Sequence, residues 1–215
     1  MRFSTVKSLS VQFDAEMRKL PREFYLSKNT AKIARDLLGK LLVVPDETAG
    51  RVSGMIVEVE AYLGQADRAA HSFGGRRTAR NEVMYGGGGH VYVFFVYGMY
   101  YQLNIVTGPA EHPHAILIRG IEPVEGIEVM WERRGKMKDT NLTSGPGKLA
   151  IALGVTHELN GADLTRKHIW LEEYRSLEKK EIKVGQRIGI DYAGEDAEKQ
   201  LRFWVKGNPF VSKPV

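Results

Sequence analysis

The chain has 215 residues, 43% of them hydrophobic, which is enough for one domain of ordinary size with its own core. It contains no cysteine, which excludes a disulfide framework, a thiolate metal site and a cysteine nucleophile. A formal charge of +5 and an isoelectric point near 9.3 fit a polyanionic partner as readily as a solvated basic surface, and no apolar run is long enough to span a bilayer.

Residues 1–19 read as an N-terminal extension, because Lys7, Asp14 and Glu16 break every apolar core that a signal peptide would need. Residues 20–215 are then one domain. Asn29 or Thr30 caps a helix whose apolar face is Ala31, Ile33, Ala34, Leu37 and Leu38, closed by Gly39. A short strand over Leu41–Val44 and a turn over Asp46–Gly50 lead to a strand over Arg51–Tyr62. In that strand Val57, Val59 and Ala61 face one way and Glu58, Glu60 and Tyr62 the other. Gly86–Gly89 reads as a flexible turn. His90–Thr107 reads as a hairpin turning near Gly98, followed by a strand over His114–Ile121. Helical spacing covers Glu122–Arg134, and SGPG at Ser144 opens a helix to Leu153. Strands return at His168–Leu171, Arg187–Ile190 and Leu201–Val205. The hairpin makes part of the sheet antiparallel, so the fold class is α+β.

Chemistry concentrates between Ile56 and Asn104. Glu58 and Glu60 project from one strand face about 7 Å apart. Like charges at that distance disfavour joint ionisation, and burial raises a carboxyl further, as suits a general base; the alternative is a solvated edge. His71 is either a structural hydrogen-bonding residue or one that reads a base edge. Arg76, Arg77 and Arg80 lie in a Gly/Thr loop, where forked guanidinium groups suit phosphate oxygens, or solvent. Lys148 opens the SGPGK helix, a second anion site, although the spacing is not that of a P-loop. Six aromatic rings crowd the hairpin. One of its faces belongs to the core, and the tip residues Tyr97, Met99 and Tyr100 are positioned to wedge into a base stack. His112 and His114 lack neighbours of metal-ligand spacing.

The runs VEVEAYLGQADRAAHS, YVFFVYGMYYQLN, ILIRGIEP, SGPGKL and RIGIDYAGE…LRFWVKGNPFVS resemble the alkylpurine (3-methyladenine, or alkyladenine) DNA glycosylases, from about Pro21 to Ser212. The resemblance implies a single compact domain: a mostly antiparallel curved sheet with flanking helices and a protruding hairpin. It implies a monofunctional base-excision repair enzyme, a monomer without metal or cofactor. Such an enzyme flips 3-methyladenine, 7-methylguanine, hypoxanthine or ethenoadenine from duplex DNA and hydrolyses the glycosidic bond with water. It would work on no membrane, in the cytoplasm, at the nucleoid in a prokaryote or in the nucleus of a eukaryote. Carried over by position, Glu60 activates the water, which Arg119 and the backbone carbonyl of Ile190 help to hold. Tyr62 and Phe94 sandwich the base and His71 meets its edge. Asn104 disfavours the exocyclic amino group of guanine. Tyr97 fills the gap in the duplex beside Met99 and Tyr100. Some relatives carry Tyr where this chain has Phe94. Two other readings are a non-catalytic binder of damaged DNA and a metal-dependent hydrolase built on His112 and His114.

Overall fold

The computed structural model describes residues 19–96, 98–135 and 139–212. These form one compact domain around an open, antiparallel eight-stranded sheet, as the α+β expectation requires. The strands are β1 (Leu41–Asp46), β2 (Gly50–Tyr62), β3 (Val91–Val96), β4 (Tyr100–Thr107), β5 (His114–Glu125), β6 (Trp170–Glu172), β7 (Ile182–Gly185) and β8 (Arg202–Val205). Their order is β3-β4-β5-β2-β1-β6, with β8 also pairing with β2 and β7 with β8. The 13-residue β2 is the axis: β5 pairs along one edge, while β1 and β8 divide the other. Register shifts in the β2–β5 pairing around Glu58 mark bulges there, which bend a strand and re-aim its side chains.

Among the described residues, three α-helices flank the sheet: α1 (Thr30–Leu37), α2 (Ile127–Arg134) and α3 (Pro146–Leu153). The side chain of Asn29 caps α1 by accepting from the Lys32 amide at 2.9 Å. Ile33, Ala34 and Leu37 of α1, Met130 of α2 and Leu149, Ala152 and Leu153 of α3 pack with Val57, Val59, Ala61, Leu103, Ile105, Ile116 and Ile118 in the main core. One face of the sheet is therefore largely apolar. The opposite face carries the alternate residues of the same strands. Among the described residues, no helix is long and apolar enough to cross a membrane.

Several sequence expectations need correction. The helix expected from Glu122 begins at Ile127, because β5 runs on to Glu125 against β2, and Gly126 turns the chain at φ +66°. Gly54 permits this extension, since a Cβ there would lie 2.7 Å from Ile121. Arg187–Ile190 is loop rather than strand: the Arg187 side chain is drawn inward and Gly189 has φ +74°. Gly86–Gly89 is not a flexible turn. Gly88 and Gly89 are buried and donate to Gly108 and Val106, and a Cβ on Gly88 would lie 2.4 Å from the Tyr25 carbonyl oxygen. The N-terminal extension lies outside the described residues except for Lys19, which bridges to Glu172.

Candidate active site

The face of the sheet turned away from the helices holds a cavity of about 340 Å³, at the small end of the range typical of small-molecule sites, ~300–1,000 Å³. Strand alternation builds its floor. Tyr92 pairs across strands with Asn104, and Asn104 pairs with Leu117, so these three fall in one row on one face. The rows on either side bring Phe94 beside Gln102 and, across the floor, Tyr62 beside Ala115. All of these line the cavity, as do Arg119, His71 and the loop Ile188–Ile190. Tyr62 and Phe94 stand on strands separated by β5 and β4, so aromatic rings come from both sides of the floor. Among the described residues, no lysine lines this cavity.

Glu58 and Glu60 are both fully buried, which overturns the solvated-edge alternative. Glu60 lies just behind the cavity wall. Its Oε2 accepts from the Tyr62 hydroxyl at 2.9 Å, and its Oε1 accepts from the Ile188 amide at 2.8 Å. Arg119 Nε stands 3.4 Å from the same Oε1. Burial pushes the Glu60 carboxyl above the ordinary carboxylate range, against the pull of Arg119 and the two hydrogen-bond donors. The Glu58 charge adds to the rise but is the least of these effects, so burial rather than like-charge pairing makes Glu60 unusual. Burial, and then Glu60 itself, holds the Tyr62 hydroxyl well above its usual value, so it stays a donor. Glu58 accepts from Arg119 Nε at 3.1 Å, Arg202 Nε at 2.8 Å, Ser212 Oγ at 2.9 Å and the Ser212 amide at 2.5 Å.

A buried ion pair that the sequence did not reveal supports Tyr62. Arg187 donates to both carboxylate oxygens of Asp67, at 2.6 and 2.9 Å, and to the carbonyls of Ala61 and Asp196. Its guanidinium lies 4.8 Å from the centre of the Tyr62 ring. Asp67 in turn accepts from the Leu63 and Ala69 amides, fixing the turn that leads to His71. His71 Nδ1 pairs with the Tyr92 hydroxyl at 2.8 Å, and its ring centre is 4.5 Å from that of Phe94. The residue is open at the cavity mouth. Loss of water on the imidazole's protein side, with Arg80 and Arg76 nearby, lowers its pKa to about 4, so the imidazole is neutral at pH 7. Asn104 is buried and donates through Nδ2 to the Tyr92 carbonyl at 3.2 Å. Ile190 packs with Ala69 and Ala193 next to Tyr62.

The surface around the mouth matches the sequence reading only in part. Tyr97 lies outside the described residues. Met99 is 63% exposed at the hairpin tip. Tyr100 does not project: it packs on Gly147 at the start of α3, where a Cβ would lie 2.9 Å from its ring. Arg76, Arg77 and Arg80 are exposed. Arg77 is held by Glu82 and Glu111 and lies over the Tyr85 ring. Arg80 donates to the Phe95 carbonyl and lies over the Phe94 ring, tying the loop to the hairpin. The ammonium group of Lys148 donates to Asn141 Oδ1. Phe95, one of the six hairpin rings, is 48% exposed, and Tyr192 at the cavity edge, which the sequence reading did not single out, is 72% exposed. Their presence could have been read from the aromatic content of both segments, but not their exposure. His114 Nδ1 pairs with Thr30 Oγ1 at 2.9 Å, a structural use. Among the described residues, no group of three His, Asp or Glu could hold a metal.

The family model for methylpurine-DNA glycosylase matches residues 23–209. A protein of Clostridium novyi named "Putative 3-methyladenine DNA glycosylase" is 45% identical over 205 residues, covering 92% of this chain and all of that one. Proteins of the same name from Clostridium acetobutylicum and Methanocella arvoryzae are each 49% identical, over 90% and 92% of this chain and 97% of theirs. The match takes in β2, the hairpin, Arg119 and the loop that carries Ile188–Ile190, so the carboxylate, the rings and the arginine around the cavity all fall within it. The chain belongs to the methylpurine-DNA glycosylase family.

Proposed function

We propose that this glycosylase excises 3-methyladenine, 7-methylguanine, hypoxanthine and ethenoadenine from duplex DNA, acting as a monomer with an activated water. The observation that carries this reading is Glu60: fully buried, raised in pKa, and set beside Arg119 just behind the wall of an aromatic cavity. A base in a duplex hides its glycosidic carbon, so it must leave the stack, at a cost of a few kcal/mol. Met99 at the hairpin tip acts as the wedge, together with Tyr97, the residue the sequence assigns to the gap in the duplex. Arg76, Arg80 and Lys148 grip phosphates, and Arg77 joins them on release from Glu82 and Glu111. Tyr100 supports the wedge from its seat on Gly147.

The flipped purine stacks between Tyr62 and Phe94. Alkylation at a ring nitrogen makes it cationic, and the aromatic slot attracts it by about 0.5–2 kcal/mol. Neutral His71 offers a ring N–H or lone pair to its edge. Asn104 narrows the floor against the exocyclic amino group of guanine. In the reaction the water oxygen bonds to C1′ as the C1′–N bond breaks, the base leaves with the bonding electrons, and Glu60 accepts the water proton. With Tyr62 and Ile188 each holding one of its oxygens, Glu60 receives that water at a remaining lone pair, beside Arg119 and the Ile190 carbonyl. A cavity without lysine among the described residues agrees with water, not an amine, as the nucleophile.

Single-turnover release of base from duplexes carrying each lesion, with EDTA present, tests the reading. The parent should release base, and Glu60→Gln should slow release about 10²- to 10⁴-fold while DNA binding persists. Release by Glu60→Gln at the parent's rate removes Glu60 as the base. Tight binding with no release of any lesion by the parent points to a damage-binding protein.

A further inference from the structure

Arg119 is shared between two carboxylates, and the sharing is uneven. Its Nε donates to Glu58 Oε1 at 3.1 Å and stands 3.4 Å from Glu60 Oε1. Its Nη2 donates to Ser212 Oγ at 3.2 Å, and that hydroxyl donates onward to Glu58 Oε1 at 2.9 Å. The Ser212 amide takes the other oxygen of Glu58. Ser212 thus touches both members of the Glu58–Arg119 pair from a segment that follows β8. The approach of that segment is built in: Gly120, next to Arg119, has no side chain, and a Cβ there would lie 2.6 Å from the Phe210 carbonyl oxygen.

We infer that Glu58 and Ser212 form a positioning clamp that holds Arg119 off Glu60, so that the segment Asn208–Ser212 is part of the catalytic apparatus. The inference rests on the reading of Glu60 as the base. A guanidinium released from the clamp moves toward the nearer remaining carboxylate, Glu60. It then occupies the lone pairs that the water needs, and it stabilises the carboxylate, which loses basicity. The charged and titratable groups facing Glu60 are Tyr62 and Glu58 from β2, Arg119 from β5, Arg202 opposite it on β8, and Arg187 from the preceding loop. Only Arg119 is bound by both Glu58 and Ser212 and also lines the cavity.

The test is the pH profile of single-turnover base release for the parent, Ser212→Ala, Ser212→Thr, Glu58→Gln and Glu60→Gln. Ser212→Ala keeps the backbone donor and changes no charge. Its plateau rate should fall about 2- to 10-fold, and Glu58→Gln should fall about 10- to 100-fold. In both, the acidic limb should move to lower pH while DNA affinity stays at the parent's value. Ser212→Thr should restore the parent's rate and limb. Parent-like profiles for Ser212→Ala and Glu58→Gln overturn the clamp, as does slowing with an unmoved limb, which marks a merely structural role. Glu60→Gln separates the two claims: if it is inactive while the clamp variants behave as the parent, the base assignment stands and the clamp falls. If it is fully active, the base assignment itself fails.

Discussion

Replacing Arg187 by methionine should strip a buried carboxylate of its partner. Asp67 and Arg187 are both fully buried at the side chain, with two hydrogen bonds between them. Breaking such a pair from one side costs about 3–5 kcal/mol, because the remaining charge cannot be rehydrated. For a chain of this size that is a fall of about 6–20 °C in midpoint temperature. Methionine also abandons the carbonyls of Ala61 and Asp196. The pH dependence gives a sharper signature. In the parent, burial is the largest effect and raises the Asp67 carboxyl, but the hydrogen bonds and charge of Arg187 together with the Leu63 and Ala69 amides outweigh it, and the net shift is downward. Its contribution to stability is therefore present above the ordinary carboxylate pKa and is lost as pH falls through the lowered one. In Arg187→Met burial is opposed only by the Leu63 and Ala69 amides, so the carboxyl rises from its value in the parent and the parent's advantage is lost as pH falls through the two values. The difference between parent and variant, measured by urea titration from pH 8 to 4, should shrink steadily on acidification. Adding Asp67→Leu should recover much of the loss at pH 7. A cost under about 1 kcal/mol that does not change with pH refutes the argument.

His71 makes a second pH prediction. Its pKa, lowered to about 4 from the usual value of 6.5, means that the folded state resists the proton that the unfolded chain accepts. Stability should thus decline as pH falls from 6.5 toward 4, and His71→Gln should flatten that decline; an NMR titration placing the imidazole near 6.5 would count against it. In the glycine run, Gly88→Ala should destabilise by about 1–3 kcal/mol or more, because the added methyl meets backbone at Tyr25 and Gly108. Gly87→Ala, with nothing within 4 Å, should be near neutral in the same thermal melt; equal effects at the two positions would contradict the packing account.

Period-two patterning made the strands legible, and with them the split of Glu58, Glu60 and Tyr62 from Val57, Val59 and Ala61 onto opposite faces. The α1 cap and its apolar face were equally plain, since both signals are local. The end of β5 was not. Helical spacing at Ile127 and Met130 extended the expected helix backward, whereas pairing with a 13-residue β2 carried the strand forward to Glu125. Tertiary pairing overrode the local pattern there. Arg187–Ile190 misled for the opposite reason: an alternating RIGI reads as a strand until the arginine finds Asp67, 120 residues away. The cavity itself followed from resemblance. Asp67, Arg187, Arg202 and Ser212 were missed because nothing near them in the chain announces an ionic partner.

What those missed residues share explains why they are there. Glu58, Glu60 and Asp67 sit with Arg119, Arg187 and Arg202, all of them buried, on the sheet face opposite the helices. Buried ion pairs are seldom more stable than well-packed apolar residues of the same volume. The other face of the same strands has apolar residues at the alternate positions, so this fold can build a core without charge. The ionic layer is therefore not needed for cohesion. What it supplies is direction: Arg119 and Arg187 are each fixed by more than one acceptor, and Arg119 and the Tyr62 ring beneath Arg187 are thereby held in the wall of the cavity. Glu60 is fixed just behind that wall by Tyr62 and Ile188. On the proposed reading, a flipped base would meet rings and charges already in position, with little reorganisation left to the moment of reaction.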